Sequence, residues 1–300
     1  MTGKTFSIKK MNDLQIGYPL SQDKEMVIDL WQVSFHDTPE YVEVFFNRVY
    51  KPENTLVIKR AGFIISALQM IPYHAKFDDT IIPVVYGCGF CTHPLERGQG
   101  LMKTLIRHAK SEMYKRGFSM AIVIPAEPSL FDYYRELGFT HLIASNVEEI
   151  YFDSHLLTES KKENDLFFEE CTIRHFPYFN SKLNERNATI LHNENDFETL
   201  LQELNCCGDK AFTAVHNHKP VGIAFVEKIS KNSIRIKEIM ADNENFQSAL
   251  LQYVATAFDA QYLKIHTPAK SIHDPGYGLA CILDDKKRNL HYFNMSLMHD

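Results

Sequence analysis

The feature that most constrains this chain is a glycine-containing stretch that joins an apolar segment to an amphipathic one. Residues 89–101 read GFCTHPLERGQGL, with glycines at 98 and 100 and Arg97 before them. Glycines in such a loop let backbone N–H groups approach a ligand closely, and a helix that begins there adds the positive end of its dipole. The stretch therefore predicts a strand, an anion-binding loop suited to a pyrophosphate, and a helix.

The hydrophobic pattern around this loop changes period several times, as it does in a mixed α/β domain. Apolar residues at i, i+3 and i+4 indicate helices, and short runs rich in Ile, Val and aromatic residues indicate strands. The first half predicts these elements: helices over 21–35 and 39–49, strands over 55–59, 63–73 and 80–91, a helix over 101–117, a strand over 118–124, a short helix over 129–138 and a strand over 140–152.

The second half repeats this order of elements after a polar, charge-rich stretch at 154–170, where we place the domain boundary. We interpret the repeat as a degenerate internal duplication, with domains at 1–152 and 165–300. Its predicted elements are a helix over 196–205, hairpin strands over 211–216 and 221–229 around Lys219-Pro220, a strand over 233–240, a helix capped by Asn243 or Asn245, and a strand over 262–266.

Charge and hydropathy exclude several classes of function. Lys plus Arg against Asp plus Glu is 16 against 17 in residues 1–150 and 16 against 21 in residues 151–300, so neither half resembles a nucleic-acid binder. No apolar run approaches the ~20 residues of a membrane helix, and no signal peptide is evident, so we expect a cytoplasmic protein without a membrane partner. The acidic balance favours a cationic amine or a basic peptide as partner.

The loop resembles the acetyl-CoA signature of the GNAT N-acetyltransferases, in which a strand and a Pro-x-x-Arg-Gly-x-Gly loop lead into a long helix. The motif-level resemblance spans 84–139, and its second part is the Tyr-x-x-x-Gly-Phe ending at Tyr134. A Rossmann or P-loop site is excluded by the glycine spacing. The resemblance implies an α/β (α+β) GNAT fold with a mixed, mostly antiparallel sheet flanked by helices, followed here by a second GNAT-like domain.

The resemblance also implies a reaction: direct transfer of an acetyl group from acetyl-CoA to a primary amine of a small molecule or peptide. No metal is implied, and a homo-oligomer is left open. Tyr134 matches the residue that protonates the departing thiolate. Met102 departs from the family pattern, which has a small residue there. The positions that would hold acetyl-CoA are Phe90, Cys91, Thr92, Arg97, Gly98, Gln99, Gly100 and Leu101.

The base that accepts the amine proton is not evident, because no carboxylate lies within 84–92, where many relatives carry Glu. The candidates are Glu127, Asp79, His93 and the carboxylate at Asp300. Asp300 rests on a narrower resemblance to the enhanced-intracellular-survival acetyltransferases, which have a second GNAT-like half and whose chain end can enter the active site. In the present chain, residues 240–249 lack the paired glycines and arginine, so we predict that the second half binds no coenzyme A.

Two alternatives stay open. The chain could bind acyl-CoA, or a partner, without turnover, which the missing strand carboxylate favours. It could instead use longer acyl donors or aminoacyl-tRNA, although the lack of a basic surface weakens the second version.

The pair Cys88 and Cys91 has the C-x-x-C spacing of redox and zinc sites. Residues three apart in a strand point to opposite faces, so we predict small buried cysteines without a metal.

Overall fold

The computed structural model describes residues 13–152, 165–271, 273–284, 286–290 and 292–299. It divides into two compact units, each assembled from separate parts of the chain. The first unit comprises Met1–Pro72, Pro83–His141 and Leu279–Lys286, and the second comprises Tyr73–Ile82, Leu142–Gly278 and Lys287–Asp300. Most of the predicted boundary at 154–170 lies outside the described residues, and the domain bounds 1–152 and 165–300 stay a prediction.

The elements follow the predicted order closely in the first half. They are β1 (Leu14–Gly17), α1 (Lys24–Phe35), α2 (Pro39–Arg48), β2 (Thr55–Arg60), β3 (Phe63–Phe77), β4 (Thr80–Thr92), α3 (Leu101–Lys115), β5 (Met120–Val123), α4 (Ser129–Glu136) and β6 (His141–Tyr151). The second half contains β7 (Leu166–Glu170), α5 (Phe176–Asn184), β8 (Ala188–Leu191), α6 (Glu194–Cys206), β9 (Lys210–His216), β10 (Lys219–Ser230), β11 (Ser233–Ala241), α7 (Glu244–Ala257), β12 (Tyr262–Pro268) and β13 (Gly276–Ile282).

The sheet of the first unit is antiparallel from β1 to β4 and then contains one parallel pair. The parallel pair is β4 with β5, because the chain crosses over through α3 between the two strands. On the far side of β5 lies β13, which pairs with it antiparallel through residues 279–282. The apolar stripe of α3, including Leu105, Ile106 and Met113, packs on one face of the sheet. Trp31 and Phe45, from α1 and α2, belong to the core on the other face.

The sheet of the second unit repeats this arrangement. β9, β10 and β11 are antiparallel, α7 crosses over, and β12 returns parallel to β11. β7 pairs with β9, and β6 pairs with β12. α7 covers this sheet with Phe246, Leu250 and Val254. The predicted architecture is confirmed: a mixed, mostly antiparallel α/β fold in which a second unit of the same arrangement accompanies the first.

The hairpin of the second unit differs from the prediction in the position of its turn. The turn residues are Asn217 and His218, both with positive φ (50° and 62°), and β10 already begins at Lys219. Two left-handed residues suit a two-residue hairpin, and Asn adopts that conformation readily. The predicted turn at Lys219-Pro220 is therefore wrong, and Pro220 lies in the strand next to a register shift.

None of the helices over the residues described has the length and apolar character that a membrane crossing requires.

Candidate functional site

The parallel strands of the first unit separate before β4 ends. β4 and β5 are paired from Val84 with Met120 to Gly87 with Val123, where β5 stops. β4 continues to Thr92, and no described residue pairs with it on that side beyond Gly87. The backbone of Phe90, Cys91 and Thr92 therefore borders an opening between two diverging strands.

Two glycines shape β4 where it leaves β5. Gly89 has a φ of +59°, and a Cβ there would lie 2.3 Å from a ring atom of Trp31. A Cβ on Gly87 would lie 2.8 Å from the ring of Phe90. Only glycine fits at either position, because the strand bends tightly against Trp31 and the Phe90 ring folds back over Gly87. A pair of glycines within an apolar strand is the feature of the sequence that could have predicted this bend.

The bend also changes where the two cysteines lie. Cys91 is buried and Cys88 partly buried, and both pack against the same aromatic cluster around Trp31. The prediction that they lie on opposite faces is wrong, because the left-handed Gly89 between them interrupts the alternation of the strand. Burial raises the pKa of the Cys91 thiol to about 12, and its Sγ lies 3.7 Å from the carbonyl oxygen of Ala67. Cys91 can therefore offer only its backbone to a ligand.

The loop after β4 leads into α3 with an open approach to the helix start. Gly98 and Gly100 have φ values of +76° and +73°, and no atom lies within 4 Å of a Cβ built on either. α3 begins at Leu101, which is buried, and Gly100 provides no side-chain cap. The first turn contains no acidic residue. The first N–H groups of α3 thus carry the positive end of the helix dipole without an internal anion to satisfy them.

Side chains hold this loop in place. The Arg97 Nε atom donates to the carbonyl oxygen of Thr92 at 3.0 Å, and no described residue pairs with the outer nitrogens of Arg97. Arg60, at the end of β2, forms an ion pair with Glu96 and donates to Gln99 Oε1 at 3.3 Å. Gln99 in turn donates to Glu96 Oε2 at 2.8 Å. Arg60, Glu96 and Gln99 therefore form a brace under the loop, and no sequence motif predicts that Arg60 takes part.

Met102 packs against the core of the first unit beside Leu105 and Ile106. The Met102 side chain, which departs from the family pattern, thus packs into the core.

Tyr134 lies on α4 against the ring of Phe90. The ring centroids of these two residues are 5.9 Å apart at a near-perpendicular angle, and Tyr133 and Phe139 form similar contacts with Tyr134. Tyr134 is 8% exposed, and its hydroxyl forms no hydrogen bond with the described residues. Burial raises the pKa of the phenol well above 10, and Tyr133 adds to the shift. Tyr134 therefore stays protonated at neutral pH and has a proton to donate.

The end of α4 explains the Gly-Phe part of the motif. Gly138 has a φ of +91°, and a Cβ there would lie 2.5 Å from Lys110 Nζ. The Lys110 ammonium donates to the carbonyl oxygen of Leu137 at 2.7 Å, and Phe139 N donates to that of Tyr134 at 3.1 Å. Phe139 is then fully buried. These bonds fix the chain that follows Tyr134 at the end of α4.

The candidate bases are dispersed. Glu127 is exposed and accepts a 3.4 Å hydrogen bond from the Ser129 hydroxyl. His93 accepts from Leu95 N at 3.3 Å. Asp79 lies in the turn between β3 and β4, which belongs to the second unit. Asp300 lies outside the described residues. Over those residues, no hydrogen bond or ion pair joins a candidate base to Tyr134, and no cluster of three or more His, Cys, Asp or Glu side chains has the arrangement of a metal site.

Comparisons with known proteins agree with this geometry. A family profile described as Acetyltransferase (GNAT) domain matches residues 19–142. Among solved structures, a GCN5-related N-acetyltransferase from Anabaena variabilis ATCC 29413 aligns with a TM-score of 0.71 at 16% identity, covering 90% of this chain and 73% of that one. A GCN5-related N-acetyltransferase from Kribbella flavida gives 0.69 at 14% identity, over 91% and 72% of the two chains.

Eis1 from Mycobacterium abscessus is also similar in structure, with a TM-score of 0.65 at 11% identity and coverage of 90% of this chain and 74% of the other. These likenesses concern the fold. A search of curated protein sequences found no significant match.

Proposed function

From the premise that this chain belongs to the GNAT acetyltransferases through its domain at residues 19–142, we propose that it transfers an acetyl group from acetyl-CoA to a primary amine. The observation that carries the proposal is the start of α3, which is uncapped, free of acidic residues and open in front of two left-handed glycines. Such a helix start binds phosphate groups through backbone N–H donors.

The residues present fit the pyrophosphate of acetyl-CoA. Gly98 and Gly100 leave room for it, and the outer nitrogens of Arg97 supply a charge that pairs with phosphate. The ion pair of Arg60 with Glu96 ties the loop to the end of β2. Beyond Gly87, the free side of β4 offers amide groups to the extended arm that links the pyrophosphate to the thioester.

When bound, acetyl-CoA supplies an activated acetyl group whose transfer releases a thiolate. Tyr134 is the proposed acid, because its phenol remains protonated and lies against Phe90 at the opening of the strands. In this role Tyr134 would hold a proton beside the leaving sulfur and release it as the thiolate forms. Backbone N–H groups of Phe90, Cys91 and Thr92 are the proposed donors to the thioester oxygen.

The proposed acceptor is a cationic small molecule or peptide amine, in keeping with the formal net charge of −6. Glu127, His93, Asp79 and Asp300 remain proposed bases. Cytoplasmic location, absence of a nucleic-acid or membrane partner, and any homo-oligomer stay predictions.

A second function is favoured by one observation, which is that no described carboxylate contacts Tyr134. In that case the domain would bind acyl-CoA without turnover, as a sensor or a partner-binding module.

Calorimetric titration with acetyl-CoA and with CoA tests the cofactor part of the proposal. We expect micromolar binding by the wild type and at least about tenfold weaker binding by Arg97→Ala, since a charge-assisted contact to phosphate contributes about 1.5–3 kcal/mol. Arg107→Ala is the matched control, because Arg107 is exposed on α3 away from the loop. A wild type that binds neither ligand would overturn the proposal.

Steady-state acetylation of an amine library then separates enzyme from sensor. We expect Tyr134→Phe to keep the affinity for acetyl-CoA and to lower kcat by about 100-fold or more, as for loss of a general acid. Full activity in Tyr134→Phe would refute the assigned acid. Tight binding without acetylation of any amine would favour the sensor.

A further inference from the structure

The second unit retains the strand divergence that forms the proposed cleft of the first. β11 and β12 are paired from Ser233 with Tyr262 to Ile236 with Ile265, and there they part. The following residues of β11 pair with β10, and those of β12 pair with β6. Lys237 is an extra residue in β11, opposite the step from Phe225 to Val226, and so forms a bulge. The first unit has its own bend, at Gly89, in the corresponding place.

The helix that follows has lost the features of an anion site. α7 begins after Asn243, whose side chain accepts a hydrogen bond from Phe246 N at 2.9 Å. Glu244 adds a negative charge in the first turn. These groups satisfy the positive helix end from within the chain, so a phosphate has no place there. The loss of the phosphate site at α7 does not show which residues border the opening between β11 and β12.

Residues 293–297 of the same chain line this opening together with β11, β12 and β6, and a cavity of about 50 Å³ remains between them. Such a volume holds at most a few water molecules. Phe293, Asn294, Met295 and Leu297 have exposures of 1%, 6%, 2% and 3%, so the segment is packed like core. Leu297 joins the apolar cluster that contains Met240, a residue of β11 beyond the parting point.

Polar contacts with Glu238 fix the register of the segment. Glu238 lies on β11 just after the bulge and is 2% exposed. Ser296 Oγ donates to its carboxylate, and Asn294 Nδ2 lies 3.4 Å from the same oxygen. Arg186 neutralises Glu238 through two hydrogen bonds of 2.8 and 2.9 Å. A buried carboxylate is stabilised by such partners, and residues 293–297 supply two of those of Glu238.

The backbone and the aromatic side chain of the segment are also anchored. Asn294 N donates to the carbonyl oxygen of Ala188 at 3.0 Å, and Ile190 N donates to that of Asn294 at 2.9 Å. Phe293 stacks on Phe77, with ring centroids 5.1 Å apart. The segment thus lies beside β8 as an extended strand would, held by its two backbone bonds to that strand and by the stacking of Phe293.

We propose that the opening between β11 and β12 is a second cleft and that residues 293–297 are its resident ligand. This cleft corresponds to the opening between β4 and β5, where the first unit is proposed to hold the arm of acetyl-CoA. The cleft can accept an extended, amide-containing chain of the pantetheine type, and the protein keeps it closed with its own backbone. This inference rests on the proposed function only for what it says of the first cleft.

The experiment uses the full chain with a specific protease site inserted between Arg288 and Asn289, cut after folding. Lys286, Lys287 and Asn289 nearby are exposed, so the protease can reach the site. Pantetheine is the probe, since it lacks phosphates and does not depend on a glycine loop. Equilibrium dialysis gives the number of pantetheine molecules bound per chain, and gel filtration shows whether the segment stays attached.

We expect the cut wild type to keep its segment and to bind as much pantetheine as the uncut chain. In Ser296→Asp, the new carboxylate repels Glu238, so the cut segment leaves and the count rises by one. Ser248→Asp is the matched control on the exposed face of α7 and keeps its segment. The one additional pantetheine bound per cut Ser296→Asp chain tests this inference. If the uncut chain binds no pantetheine at all, that result counts only against the first cleft and the proposed function.

Loss of the segment without a rise in the count would overturn the proposal, as would spontaneous loss of the wild-type segment. If Ser296→Asp fails to fold, exchange of a labelled peptide of residues 289–300 into the cut wild type replaces it. We expect that peptide to exchange in and its Ser296→Asp version to bind at least about tenfold more weakly. Equal exchange by the two peptides would also overturn the proposal.

Discussion

The two units begin their crossover helices in opposite ways on nearly the same strand frame. α3 starts behind Gly100, uncapped and without acidic residues, whereas α7 starts behind a capping Asn243 with Glu244 in its first turn. Both helices follow a bent strand that parts from its parallel neighbour. A bent strand that diverges from its parallel neighbour is therefore not sufficient to form an anion site. What distinguishes the units is whether the helix end is satisfied from within the chain.

A carboxylate at the start of α3 should make the first unit resemble the second, with the largest effect. Gly100→Asp places a negative charge where the pyrophosphate is proposed to bind, and we expect CoA affinity to fall at least about 100-fold. Gly117→Asp is the matched control, because Gly117 ends the same helix with a φ of +80° and open space around its Cβ. Its affinity for CoA should stay within about threefold by calorimetry. Equal losses in the two variants would mean that strain, and not charge, is responsible.

Acid should weaken the second unit through its buried histidine. Burial lowers the pKa of His192 to about 4, and His299 contributes to the shift. In the unfolded chain the imidazole titrates near ~6.5, so the unfolded state binds the proton first as the pH falls. The folded state then loses up to about 3 kcal/mol between pH ~6.5 and ~4.

His192→Phe should therefore flatten the dependence of unfolding free energy on pH, measured by urea denaturation at pH 7 and pH 5. The Nδ1 atom of His192 is buried without a partner among the described residues, whereas the ring also bonds the backbone of Ser296. At pH 7 the change therefore costs the worth of that one bond, roughly 0.5–1.5 kcal/mol. His108→Gln, at an exposed histidine of α3, should leave the dependence unchanged. An unchanged slope in His192→Phe would show that another group is the acid-sensitive one.

The brace under the glycine loop should matter for binding more than for chemistry. Arg60→Gln loses the ion pair with Glu96 and the contact with Gln99, so we expect the KM for acetyl-CoA to rise about three- to tenfold with kcat nearly unchanged. Arg60→Lys should recover part of this loss. Arg116→Gln, which breaks hydrogen bonds to Asn54 and Glu53 elsewhere in the unit, should not raise the KM. A fall in kcat alone would contradict a positioning role.

The cap of α7 should have the smallest effect, on stability only. Asn243→Ala leaves Phe246 N without its acceptor, and we expect a loss of about 1 kcal/mol in unfolding free energy. Asn245→Ala, two residues later and exposed, should change it by less than about 0.5 kcal/mol. Equal effects at the two positions would argue against a specific cap.

The same contrast shows which parts of the site could be predicted from sequence. The loop and helix around Arg97 and Gly100 were recognisable because glycine spacing and the i, i+4 pattern are local signals. Arg60 was not, because it lies 36 residues before Glu96 in the chain and carries no motif. The face of Cys88 was predicted wrongly because a single left-handed glycine reverses the alternation of a strand.

In the second half, strong periodicity predicted α6, β9, β11, α7 and β12. The hydrophobic periodicity did not predict β7, α5, β8 and β13. These elements are short, or they carry polar residues where they face solvent. The hairpin turn was placed at Pro220 because proline commonly marks turns, but the turn is formed by Asn217 and His218.

The sequence by itself determined the local elements, the anion-type loop of the first unit and its absence from the second. These depend on residues within a few positions of one another. Only the tertiary structure decided that residues 279–282 pair with β5, that β6 pairs with β12, and that residues 293–297 line the opening between β11 and β12. Each of these joins residues far apart in the chain, and such pairings depend on which backbone edges and buried charges remain to be satisfied once the rest has folded.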